Sequence, residues 1–333
     1  MSRKLITIST IMTLMSTSVI ADVPNVAADI APIHSLVSRV MDGVGVPKLI
    51  VQSGASPHGY RLRPSEAKAL QDADHVFWMG EELTPWLDSA IDTLATKASV
   101  TTLLDQEGII LHDFREGALF EAHDHSAHGD DDHDDHDDHK DHDDHDDHDD
   151  HDDHDDHKDH DDHGSHDPHA WLSPENAKLW LNIIASKLSV SDPENAATYF
   201  MNAAAGQAEI EAMIAEVSAT LKPVQGGKFV LFHDAYQYFE NDFDFYASGA
   251  ISLGDSSDPS PARIEKVQKR IRDEGIQCVL AEPQFKKGLV ATVMEGSDAT
   301  ASVIDPLGAE LETGPKLYTR LIKNMAKTLR NCL

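Results

Sequence analysis

Lys228-Phe229-Val230-Leu231-Phe232-His233-Asp234 is the stretch on which the reading of the fold turns. Its apolar run has no polar alternation, so both faces of the strand it forms are buried, as in a parallel sheet covered by helices. The run ends abruptly at a histidine. In open α/β sheets ligands bind beyond the carboxyl ends of strands, which puts His233 where chemistry is expected. Runs of the same kind recur at Cys278–Ala281 and at Ala301–Ile304, the latter followed directly by Asp305. Earlier in the chain they recur at Lys48–Val51, at Val76–Met79 (closed by Gly80) and at Val100–Leu104. Helical patterns lie between them. One runs from Pro64 to near Asp74, and Ser173-Pro174-Glu175, Asp192-Pro193-Glu194 and Ser260-Pro261 each place a capping side chain before a first-turn proline. The alternation predicts an α/β fold with parallel sheets, and 333 residues suit two domains. The longest helical pattern covers Pro193–Leu221, with Phe200, Ala203, Ile210, Ile214, Val217 and Leu221 at three- and four-residue steps. Such a helix would span about 43 Å, as a stiff connector between lobes or as an ordinary surface helix.

The N-terminus has the layout of a secretory signal: Arg3 and Lys4, a mostly apolar Leu5–Met15, then Val19-Ile20-Ala21 as a small-residue cleavage site. The apolar run is too short for a retained anchor, and no cysteine near the cleavage site offers lipid attachment. A signal peptide over 1–21, with Asp22 as the mature start, points to a periplasm. The two cysteines, Cys278 and Cys332, read as a disulfide in an oxidising compartment, worth about 4 kcal/mol in the chain-entropy model. Two buried thiols are the other reading. The net charge of −32 leaves no basic face for nucleic acid or anionic lipid.

Much of that charge sits in one tract. From His133 to His163 a histidine occurs every third residue, and the stretch from His123 to His166 holds 22 Asp and 2 Lys. Without apolar side chains it builds no core, so residues 121–166 are expected to be a disordered loop. Imidazole and carboxylate are both ligands for borderline ions such as zinc. A solvated acidic linker has no need of histidine. The metal-collecting candidates are therefore His123, His125, His128, His133, His136, His139, His142, His145, His148, His151, His154, His157, His160, His163 and His166.

Six histidines lie outside the tract. His58 stands in a turn soon after the strand ending near Val51, and His169 just before a capped helix. His233 and Asp305 follow strands. His34 reads as part of a first helix, His75 as the start of a strand and His112 as loop, and these three are expected to be structural or solvent-facing.

The motifs Pro57-His58-Gly59-Tyr60, Leu83-Thr84-Pro85-Trp86-Leu87, Asp167-Pro168-His169-Ala170-Trp171-Leu172, Phe232-His233-Asp234-Ala235-Tyr236, Ala281-Glu282-Pro283-Gln284 and Ile304-Asp305-Pro306-Leu307-Gly308 belong together. Through them the mature chain resembles the metal-binding solute proteins of zinc and manganese ABC importers, specifically the zinc branch. The acidic His-rich insertion belongs to that branch too. The resemblance implies two α/β lobes, here 22–192 (including the tract) and 222–333, joined by one long rigid helix over 193–221, with one metal in the cleft between them. It implies His58, His169 and His233 as ligands, Asp305 at the position of a carboxylate ligand, and a Cys278–Cys332 pair. It implies Zn2+ as the ion, a membrane permease with its cytoplasmic ATPase as partner, a monomer, and no catalysis. Some zinc members carry Glu before the first ligand histidine; here Pro57 stands there, so the fourth position falls to Asp305 or water. Manganese members usually have a carboxylate where His233 stands, and harder ions favour oxygen.

Three other functions are weighed against this one. A manganese or iron carrier is disfavoured by three imidazoles. A zinc hydrolase shares the three-ligand pattern, with Glu282 and Asp234 as possible bases, but there is no His-Glu-x-x-His motif. Asp234 equally reads as a cap for a helix starting near Ala235, and Glu282 as part of a strand-end turn. A periplasmic zinc buffer or adhesin would differ only in lacking the permease.

Overall fold

The structure, a computed structural model, describes residues 23–115, 120, 166–252, 259–284 and 287–333, with only the backbone of Lys287. Among these, β1 (Val26–Ala28), α1 (Ala31–Val40), β2 (Lys48–Leu49), α2 (Pro64–Gln71), β3 (His75–Trp78), α3 (Pro85–Leu94) and β4 (Ser99–Thr102) build the first sheet. Its order is β2-β1-β3-β4, parallel throughout. After α4 (Pro174–Ser191) and α5 (Ala196–Leu221) comes the second set: β5 (Phe229–His233), α6 (Gln237–Phe243), β6 (Ala250–Ser252), α7 (Pro261–Glu274), β7 (Cys278–Ala281), α8 (Lys287–Met294), β8 (Thr300–Val303) and α9 (Leu317–Cys332). Its order, β6-β5-β7-β8, repeats the topology of the first. The two parallel sheets flanked by helices are the α/β architecture expected from the alternation of strands and helices.

Differences from the local reading have physical causes. The strands β1 and β6 are buried three-residue segments, too short for any periodicity to show. Helix α5 starts at Ala196, not at Pro193. The Asp192 carboxylate does not cap it; Oδ2 instead accepts from Asn195 Nδ2 and from the Tyr199 hydroxyl, each at 2.7 Å. That holds residues 193–195 as a turn. Ser173 and Ser260 do cap, accepting from the amides of Asn176 and Arg263.

Helix α5 packs on α4, α1 and α9, so it touches elements of both halves. At Gly206 a Cβ would stand 2.9 Å from Leu181 of α4, so the absence of a side chain is what lets the two helices approach. The largest apolar cluster runs through both halves, from Val26 to Leu329. Buried hydrogen bonds cross it as well: Ser35 Oγ to Gly314 O at 2.7 Å, Trp171 Nε1 to Pro306 O at 2.8 Å, and Tyr318 OH to Trp171 O at 3.0 Å. Among the described residues no helix is long and apolar enough to cross a membrane.

Cys278 and Cys332 form a disulfide with Cα atoms 5.6 Å apart, fastening the end of α9 to β7. Exported protein, denatured without reductant, should therefore show no thiol to a labelling reagent. Replacing both cysteines with serine should lower unfolding stability by about 4 kcal/mol on the chain-entropy model, read by denaturant titration.

Candidate metal centre

Three histidines from distant parts of the chain meet. His58 comes from the loop between β2 and α2, His169 from just before the 3-10 turn Ala170–Leu172 that leads into α4, and His233 is the last residue of β5. One ligand atom from each lies within 4.8 Å of the others, and no other such trio is found among the described residues. Ring centroids are 4.9 Å apart for His169–His233, 5.5 Å for His58–His169 and 6.1 Å for His58–His233. His169 and His233 are buried and His58 is half-buried.

Each ring has its own support. Trp86 Nε1 donates to Pro57 O at 2.7 Å, pinning the residue before His58. Two residues on, the Tyr60 hydroxyl donates to Glu66 Oε1 at 2.7 Å while Glu66 Oε2 accepts from the Arg63 amide. Asp167 Oδ1 accepts from the His169 amide at 3.0 Å and lies 2.6 Å from His169 Nδ1. That carboxylate makes Nδ1 the protonated nitrogen, which leaves the buried Nε2 of His169 with a lone pair and no hydrogen-bond partner. His233 Nδ1 lies 3.3 Å from Glu282 Oε1, just past the end of the adjacent strand β7. Glu282 is itself buried and accepts from Gln284 Nε2 at 2.7 Å. A carboxylate behind the imidazole is the usual orienting partner of a metal-ligating histidine.

Neither Asp167 nor Glu282 stands out in the sequence as an orienting group. Asp167 is marked there only by the motif around His169, and Glu282 by the motif around Pro283 and as a possible base or turn residue.

The other sequence candidates fall elsewhere. The structure does not bring Asp305 into the trio: Oδ1 accepts from the Leu307 and Gly308 amides at 3.0 and 2.8 Å, and Oδ2 from Ala309 at 2.6 Å. Its charge is felt at Tyr236. Burial, then Glu282, then Asp305 push the fully buried Tyr236 phenol well above its ordinary range. Asp234 does not cap α6, which starts only at Gln237, but pairs with Arg115. Burial raises the pKa of Asp234 and of Glu240, and Arg115 opposes the rise in both. Burial also works against the Arg115 charge, but Glu240 and Asp234 together outweigh it and hold the guanidinium protonated.

His34 contacts Pro47 O and Ser38, His75 contacts Ser191, and His112 contacts Asn241. Of the tract, only His166 is among the described residues. Its Nδ1 lies 2.9 Å from Asp113 Oδ1, and the two residues form an antiparallel bridge. His123 through His163 and the signal segment 1–21 lie outside the described residues.

Three imidazoles with carboxylates behind two of them suit zinc. Residues 26–332 match the family described as ZnuA, zinc-uptake complex component A, periplasmic. The chain belongs to this family. It is 50% identical over 308 residues to the high-affinity zinc uptake system protein ZnuA of Brucella abortus, covering 92% of this chain and 91% of that one. It is 45% identical over 314 residues to the protein of the same name from Paracoccus denitrificans, covering 94% and 93%. A solved structure titled crystal structure of ZnuA superposes with a TM-score of 0.71 at 19% identity, covering 93% of this chain and 99% of that one. The protein is thus a periplasmic, exported solute-binding component of zinc uptake and not an enzyme.

If the two carboxylates orient the rings, Asp167→Asn and Glu282→Gln should each weaken the tightest zinc-binding event by about 10- to 100-fold. Competition against a chelator of known affinity measures this, and binding at wild-type strength would show that the ring orientations are set elsewhere.

Proposed function

We propose that His58, His169 and His233 hold one zinc ion as cargo, and that the protein hands it to the membrane permease of an ABC importer driven by a cytoplasmic ATPase. The observation that carries the reading is the buried, unpartnered His169 Nε2 beside the two other rings. A buried nitrogen without a partner is costly, and a cation supplies what it lacks. Tetrahedral zinc, with Zn–N of about 2.0–2.1 Å, needs only small movements of the rings. The fourth position goes to water or to Asp305, whose carboxylate has about four acceptor sites and spends three on backbone amides.

On this reading residues 22–192 and 222–333 are two lobes facing each other across the zinc, with the helix inside 193–221 as their spine. The signal peptide is removed after Ala21. The protein acts as a monomer. The tract gathers zinc on many weak sites. Each ion there would have to order its own set of ligands, whereas the cleft ligands sit on fixed elements and bear little of that penalty.

Replacing His58, His169 or His233 with alanine should abolish the tightest zinc event in calorimetric titration. Unchanged tight binding in any variant removes that residue from the site. Asp305→Ala should have a smaller effect, since water can take its place.

Deleting residues 123–165, which spares the Asp113–His166 bridge, should reduce bound zinc to about one ion per chain and leave the tight event intact. As pH falls toward about 6.5, the free-imidazole range, tract zinc should leave first. Loss of tight binding on deletion would mean that the tract supplies a cleft ligand.

A further inference from the structure

A buried ion cluster adjoins the histidine trio and takes no part in ligation. Arg115 donates from Nε to Asp234 Oδ1 at 3.0 Å, and from its two terminal nitrogens to Glu240 at 2.8 and 3.0 Å; one of these nitrogens also reaches Asp234. Its side chain is 16% exposed, those of Asp234 and Glu240 7% and 2%. The Phe120 ring covers the guanidinium at 3.6 Å. The three charges come from separate places. Arg115 lies on the segment that follows β4, Asp234 is one peptide bond beyond His233, and Glu240 is on α6.

The segment bearing Arg115 is also tied to the other buried ligand. His112 O accepts from the Asp167 amide at 2.7 Å, and the Tyr238 hydroxyl, which accepts from the His112 amide, donates to Asp167 O. One short stretch, 112–115, therefore grips the residue that orients His169 and the residue that follows His233.

We propose that Arg115 is a positioning residue for zinc: by clamping Asp234 and Glu240 it fixes the turn at His233 relative to the Asp167–His169 segment, and so sets the spacing of two ligands. The proposal rests on the three-histidine reading of the site.

Electrostatics alone predict the opposite sign, because removing a positive charge beside a cation site should tighten it. The guanidinium, however, is already committed to Asp234 and Glu240, whose charge it offsets in part. Without it, two buried carboxylates face each other uncompensated. Such an arrangement relaxes by admitting water or swinging a side chain outward, and His233 shares its backbone with the group that moves.

The test uses the full chain, with zinc as the probe, in Arg115→Ala and Arg115→Lys. The tight event is followed by chelator competition and by the emission of Trp171, whose ring is 5.2 Å from His169. The expected result for Arg115→Ala is at least tenfold weaker binding with correspondingly faster release. Its one-equivalent cobalt complex should have visible bands shifted from those of the wild type. Arg115→Lys should recover part of the affinity. Unchanged or tighter zinc binding in both variants would overturn the proposal. If Arg115→Ala does not fold, Arg115→Lys decides alone, and wild-type affinity there overturns it. If wild-type protein shows no tight event that His169→Ala removes, the three-histidine reading fails, and the proposal with it.

Discussion

Neutral imidazole nitrogens turned toward one another gain nothing from being close. Their lone pairs repel, and burial removes the water that would otherwise solvate them. On the proposed reading the three rings must nonetheless be held together before any ion arrives, or every zinc captured would have to bear the ordering of its own site. The structure meets this constraint from behind the rings. Asp167 and Glu282 stand behind His169 and His233 at Nδ1, which leaves the buried Nε2 of His169 without a partner and open to an ion. Trp86 and Tyr60 restrain the loop of His58, the only half-buried member of the trio. It is the ring with the easiest path to solvent.

Those supports need a stiff frame, and the repeated sheet topology provides it. His233 and Glu282 lie at the ends of β5 and β7, neighbouring strands at the centre of the second sheet. A one-residue shift between them would separate ring from carboxylate. The interface between halves is itself packed and hydrogen-bonded, through Trp171 and Tyr318, and α5 lies along both. Rigid placement favours a single tight site over several loose ones.

Charge works at two ranges. Close in, the buried Asp167 and Glu282 stand behind two of the rings and the buried Asp234 follows His233 in the chain, with Arg115, which Asp234 shares with Glu240, offsetting part of this charge. This is a field into which a divalent cation is drawn. Along the sequence the tract adds 22 aspartates against 2 lysines, which on the proposed reading raises the local concentration of cations. The Asp113–His166 bridge sets the tract's return only three residues before His169.

Unbroken apolar runs with β-branched and aromatic residues were enough, from sequence alone, to predict parallel strands, and the residues at their carboxyl ends pointed to His233. The six motifs together pointed to the family and to His58 and His169, and the tract's composition declared a taste for metal. Local pattern could not show which distant groups touch. Asp234 read as a helix cap and became an ion-pair partner of Arg115, because a carboxylate's role follows the donor that tertiary packing brings to it. Asp192 likewise turned from its expected cap to Asn195 and Tyr199, delaying α5. The cysteines allowed two readings until the folding of α9 back onto β7 put their Cα atoms 5.6 Å apart. Asp167 and Glu282 were visible as letters, yet their work depends on distances of 2.6 and 3.3 Å to rings. Periodicity in a chain encodes which face is buried; only the folded backbone determines which side chains from far-apart segments share that interior.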